Sequence, residues 1–151
     1  MKHLLDATVV NQVKTRLGNL EPQSERRWGK MTVAQMLAHC SVSMQWAVGE
    51  VVPEMGALPA RMLGRLVKPM VFRNEGPLRK NAPTAKSLVI TDERDLGEER
   101  DRLSGLIDKF AAGGAAGCTK NPHGFFGKMT PEEWAILMYK HLDHHLRQFG
   151  V

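Results

Sequence analysis

Apolar positions recur at spacings of three and four along four stretches of the chain, the mark of helices that bury one face. The first stretch runs from about Asp6 to Gly18 and carries Val10, Val13 and Leu17, with Leu20 just beyond. The second opens at "GKMTVAQ", where Thr32 and Gln35 form a capping-box pattern. Its stripe is Val33, Met36, Leu37, Cys40, Met44 and Ala47, and Gly49 predicts its end. The third follows "TDERDLGEERDRL", with Leu96, Leu103, Leu106, Ile107 and Phe110 turned inward and the pair Gly113, Gly114 as its stop. The fourth opens with Thr130 as N-cap, Pro131 at the first helical position and Glu133 closing the box, and runs to Phe149 before Gly150.

The tetrapeptide "GKMT" opens both the second and the fourth helix, at 29–32 and 127–130. Superposing the copies sets His39 against Leu137, so the repeat is reused capping chemistry rather than a duplication. Between the second and third helices lies a long connection, about 51 to 91, with five prolines and a short helix predicted over "LPARMLGRLVKPM". No segment alternates with period two for long, although "SLVI" (87–90) reads as a brief extended piece. The pattern predicts an all-α protein, a four-helix bundle with a long crossover between helices 2 and 3, as one domain over residues 1–151.

Composition narrows the class. Of 151 residues, 42% are hydrophobic and 25% charged, which is ordinary for a globular chain and excludes disorder. No apolar run approaches the length of a membrane span, so no membrane partner is expected. "MKHLLDATVV" lacks a signal-peptide core, and Cys40 and Cys118 have no framework spacing; both point to the cytoplasm. The net charge of +5 is uneven: Arg61, Arg65, Lys68, Arg73, Arg79, Lys80 and Lys86 face one acid, Glu75, within 61–86. That stretch is either a solvated face or a docking surface for an anionic small molecule. A nucleic-acid partner is not expected, because no aromatics interleave with the charges and no module motif is present.

The chemistry-bearing residues are at the end. "KHLDHHLRQFGV" places three of the six histidines, His141, His144 and His145, on the last turns of the fourth helix. With about 100° per residue, His145 lies about 40° from His141 and His144 about 60° the other way, so either can pair with His141 on one ion. A third ligand has to come from another helix. His39, mid-helix in "MLAHC" and on the flank of the apolar stripe, is the best candidate. Three neutral imidazoles leave coordination positions open, as catalytic sites do, and they suit zinc, nickel, iron or copper. The competing reading needs no metal: protonated histidines in a last turn complement the helix dipole, and His39 is then a satisfied core residue.

"MTVAQMLAHC", followed a hundred residues later by "KHLDHHLRQF", resembles the DinB/YfiT-like superfamily of bacterial four-helix bundles, and the likeness spans nearly the whole chain. The resemblance implies one divalent metal, zinc or nickel, held by a histidine on helix two and an H-x-x-x-H pair on the last helix. Those positions are His39, His141 and His145, with Arg147 and Gln148 matching a polar tail. His144 is then expected beside the site or at the surface, and Asp143 in solvent. His123, in "NPHGFFGKMT", is expected as a turn residue, and Cys40 as a small buried hydrophobe.

The resemblance further implies a metal-dependent transferase that uses a low-molecular-weight thiol, attacking a small electrophile as thiolate. A metal-dependent hydrolase and a non-catalytic, dimerising stress-response protein are the alternatives. A homodimer is expected from the likeness and from Val42, Trp46 and Val48, apolar residues outside the main stripe of helix two.

Overall fold

Capping chemistry puts the helix entrances where the sequence predicts them. In the computed structural model, which describes residues 1–151, α1 spans Ala7–Gly18 and the Asp6 carboxylate accepts from the Thr8 amide at 2.8 Å. α2 spans Val33–Ala47, and both halves of its capping box form: Gln35 N–H donates to Thr32 Oγ1 at 3.2 Å and Thr32 N–H to Gln35 Oε1 at 3.0 Å. The same reciprocal pair, Thr130 and Glu133, opens the last helix at Pro131. Each such cap contributes about 1 kcal/mol and fixes the register of the side chains that follow.

The chain is all-α, with five helices and no strand. α3 spans Leu58–Arg73, α4 Leu96–Gly117 and α5 Pro131–Gln148. Two expectations change. The helix expected over "LPARMLGRLVKPM" forms and runs further, to Arg73: α3 has 16 residues, with Pro59 in its first turn and Pro69 carried inside. "SLVI" is no strand, because Lys86–Leu88 winds into a 3-10 turn. The glycine stop of α4 holds in a modified form. Gly114 takes φ +55° and ψ −152°, so the regular helix breaks there and one more turn carries the chain to Gly117.

α2 is the central element. Twelve of its 15 residues are buried, because α4 packs along one side, α5 along another, and the 3-10 turn covers part of the rest. α1 completes the core from α4 and α5 with Val10, Val13 and Leu17. Leu37, Met44, Leu103, Ile107, Trp134, Leu142 and Leu146 fill the centre. Truncating such a residue costs about 2–5 kcal/mol. Trp46 is buried and Val42 and Val48 pack on the same core, so the apolar residues that suggested a dimer face are used within the chain. α3 lies outside this core and buries only Gly64. No helix is long and apolar enough to cross a membrane.

Candidate metal centre

α2 and α5 cross with His39 of one facing His141 and His145 of the other. His39 Nε2 lies 2.9 Å from His141 Nε2, and His141 Nε2 lies 3.2 Å from His145 Nε2. One ligand atom from each of the three lies within 4.8 Å of the others. His39 and His145 are buried, and His141 between them is half-buried. The i,i+4 spacing that left His141 two possible partners is resolved by tertiary packing: His145 turns inward and His144 does not join the cluster.

The opposite ring nitrogens decide the protonation pattern. His39 Nδ1 sits 2.8 Å from the Leu88 carbonyl, which only accepts, so Nδ1 carries the proton. His145 Nδ1 sits 2.7 Å from Gln148 Oε1, while the Gln148 amide donates to the Trp28 carbonyl at 2.7 Å; Nδ1–H is again the donor. Ser43 Oγ donates to the Cys40 carbonyl at 2.8 Å, which leaves it to accept from His141 Nδ1–H at 3.0 Å. All three Nε2 lone pairs therefore point at one another. Two acceptors at such distances repel, and a shared proton or a cation has to sit between them.

Burial decides between the two. Desolvation pushes His141 well below the ordinary histidine value and His145 down to about 3, with the neighbouring imidazoles adding to each. His39 is lowered as well, chiefly by burial and against the raising effect of the Leu88 carbonyl. At neutral pH the cluster is three neutral ligands rather than an imidazolium. Nitrogens bound to a tetrahedral ion at 2.0–2.1 Å are about 3.3 Å apart, close to the spacings seen. The residues fit a divalent metal, with each ligand ring held from behind as metal-binding imidazoles are.

A family model described as a protein of unknown function, DUF1569, matches residues 1–150. The chain belongs to the DUF1569 family. No curated protein and no solved structure matches it.

Around its three histidines the DUF1569 chain places the other residues singled out in the sequence. His144 stands beside the cluster, its ring 5.0 Å from His145 and 5.3 Å from Trp28, and Lys80 lies over the Trp28 ring at 4.3 Å. Burial lowers the His144 pKa, and a backbone hydrogen bond to Leu78 opposes that. Gln148 of the polar tail is buried and holds His145, whereas Arg147 turns to Asp143. Asp143 is not in solvent. Its carboxylate is buried between Arg16 and Arg147, each at 2.7 Å, because α1 brings Arg16 across from 127 residues away.

His123 is a turn residue: its Nδ1 accepts from the Phe125 and Phe126 amides at 3.1 and 3.2 Å. It also packs against Trp46 and Trp134, and burial lowers it to about 4. Cys40 is fully buried and desolvation drives its thiol far up, so it is no nucleophile. Ser43 and the Leu88 carbonyl were missed. Ser43 stands one turn beyond His39 on the same face, a spacing that could have found it. Leu88 acts through its backbone, which its side chain does not reveal.

Proposed function

We propose that this chain is a divalent-metal-dependent enzyme of the DinB/YfiT-like type that transfers a low-molecular-weight thiol to a small electrophile in the cytoplasm. In this reading α1, α2, α4 and α5 are the four-helix bundle, the segment from α2 to α4 is its crossover, and His39, His141 and His145 hold zinc or nickel. One observation carries it: buried His39 and His145 and half-buried His141, their Nδ1 atoms all engaged elsewhere, bring one ligand atom each within 4.8 Å of one another.

Held by His39, His141 and His145, a divalent ion would supply Lewis acidity, which would lower the pKa of a thiol at the site and favour its thiolate at neutral pH. The chain's own groups do the rest. Leu88, Ser43 and Gln148 fix the three rings in the tautomer that offers Nε2. The surrounding core excludes water on the inner side. Lys80, held on Trp28 beside His144, offers a positive charge to an anionic thiol approaching from the crossover side.

Protein purified without a histidine tag is expected to carry one equivalent of divalent metal. A chelator at neutral pH should lower the melting temperature. A metal present at a hundred times its Kd contributes about 2.7 kcal/mol, or roughly 5–10 °C for a chain of this size. His39→Ala and His145→Ala should abolish the stoichiometric metal. Wild type without metal, and indifferent to added zinc or nickel, would refute the site. With metal bound, consumption of glutathione or bacillithiol in the presence of an aryl electrophile tests the transferase. Metal without turnover of any thiol would remove the transferase and leave the metal site standing.

A further inference from the structure

Ten large hydrophobic residues lie open on the surface, and eight of them fall within residues 51–70: Val51, Val52, Met55, Leu58, Met62, Leu63, Leu66 and Met70. Such concentration is unusual, since exposed apolar residues normally lie scattered. On α3, Leu58, Met62, Leu66 and Met70 follow one another every four residues, and Leu63 widens the row to a face about 140° across and about 18 Å long. The four are evenly open, at 66, 59, 78 and 64% of full exposure, as on a helix whose one side is free along its whole length.

α3 is held to the molecule by its other side. Gly64 meets the Phe125 carbonyl, Phe72 stacks on Phe126 at 5.4 Å, and Lys68 pairs with Glu133 at 2.8 Å. Lys140 Nζ donates to the Val71 and Asn74 carbonyls and pins the C-terminal end. The apolar row is therefore presented outward by a fixed helix.

The charges beside the row select its partner. α3 contains no acidic residue; Arg65 and Arg73 are exposed and Arg61 half-buried, and none of the three takes part in an ion pair. Arg79 and Lys80 follow, also exposed. A second copy docked symmetrically would set these arginines against themselves with no acid to answer them. A plane of anionic headgroups over an acyl layer answers both features at once: it takes the Leu and Met side chains and neutralises the arginines. We propose that α3 is a peripheral membrane anchor that seats the protein on an anionic lipid surface. The expectation of no membrane partner came from the lack of a spanning segment, and that criterion does not register a helix lying in the interface.

The test is flotation of the full, metal-loaded protein with vesicles of phosphatidylcholine alone or with about one-third phosphatidylglycerol. Wild type should float with the anionic vesicles at low salt, stay behind with the neutral ones, and be released at about 0.5 M salt. Met62→Asp with Leu66→Asp should cut the bound fraction at least about tenfold, and Arg65→Glu with Arg73→Glu about as much. All four sites are exposed, so circular dichroism and metal content should match wild type. Failure of wild type to float, equal binding to neutral vesicles, or binding that survives Met62→Asp with Leu66→Asp would each overturn the anchor. So would a wild-type dimer in solution that Leu66→Asp converts to monomer, which would give the face to a second copy.

Discussion

Gln148 offers the sharpest test of how the histidine cluster is built. Its side-chain oxygen accepts from His145 Nδ1–H at 2.7 Å, and its amide donates to the Trp28 carbonyl at 2.7 Å, from a fully buried position. Gln148→Leu keeps much of the volume but leaves a buried N–H without an acceptor and a half-buried carbonyl without a donor. The first loss costs about 1–3 kcal/mol and the second less. Freed from its partner, the His145 ring no longer favours the Nδ1–H tautomer, and metal affinity should fall about 10–100-fold. Gln148→Glu keeps the acceptor for His145 but replaces the donor to Trp28 with a buried carboxylate oxygen facing that carbonyl. It should bind metal within about threefold of wild type while sharing part of the stability loss. Competition against a zinc chelator gives the affinities, and urea denaturation of the metal-free proteins gives the stabilities. If Gln148→Leu binds as tightly as wild type, or if both variants lose affinity equally, then Gln148 does not set the ring and the tautomer assignment fails.

Three further outcomes are expected. His123 is neutral and half-buried with its pKa lowered to about 4 by desolvation, below the ordinary 6.5, so the unfolded chain takes up its proton first. The stability it supports is complete above about pH 6.5 and is lost as pH falls towards 4, by roughly 3 kcal/mol in total. His123→Gln should flatten the urea-derived stability curve in that window, and an unchanged slope would contradict the assignment. Asp143→Ala leaves Arg16 and Arg147 without their shared carboxylate, with Arg147 more than half exposed. A loss of about 1–3 kcal/mol is expected, and a change under about 0.3 kcal/mol would show that the pair is solvent-screened. Gly64→Ala would drive a methyl group into the Phe125 carbonyl. Amide exchange should rise along α3 while the α2–α4 core keeps its protection, and unaltered exchange in α3 would mean that the contact is not its seat.

Much of the fold was legible because it is written in local rules. Asp6, Thr32 and Thr130 each satisfy amides within three residues of themselves, so helix entrances need no tertiary information. The periodic stripes named the core side of α1, α2 and α4 for the same reason. Most of α3 was legible too, since "LPARMLGRLVKPM" already carries the helix through Pro69. Its last three residues were not, and contacts from Lys140 and Phe126 hold that end.

The candidate site divides the same way. Sequence by itself determined that His39 and the α5 histidines belong to helices, and spacing limited the partner of His141 to His144 or His145. The resemblance favoured His145, and the packing of α5 on α2 is what physically brings it, and not His144, to His39 and His141. Gln148 orients His145 from the same helix, but the groups that orient the other two rings come from other elements, above all the Leu88 carbonyl, 49 residues from His39, and a carbonyl has no residue identity to read. Asp143 was misread because its two arginines converge only after α1 packs on α5. The open apolar face of α3 was likewise invisible as such. A stripe of Leu and Met has the same spacing whether it is covered or free, and only the packing of α1, α2, α4 and α5 into a core without α3 left it free.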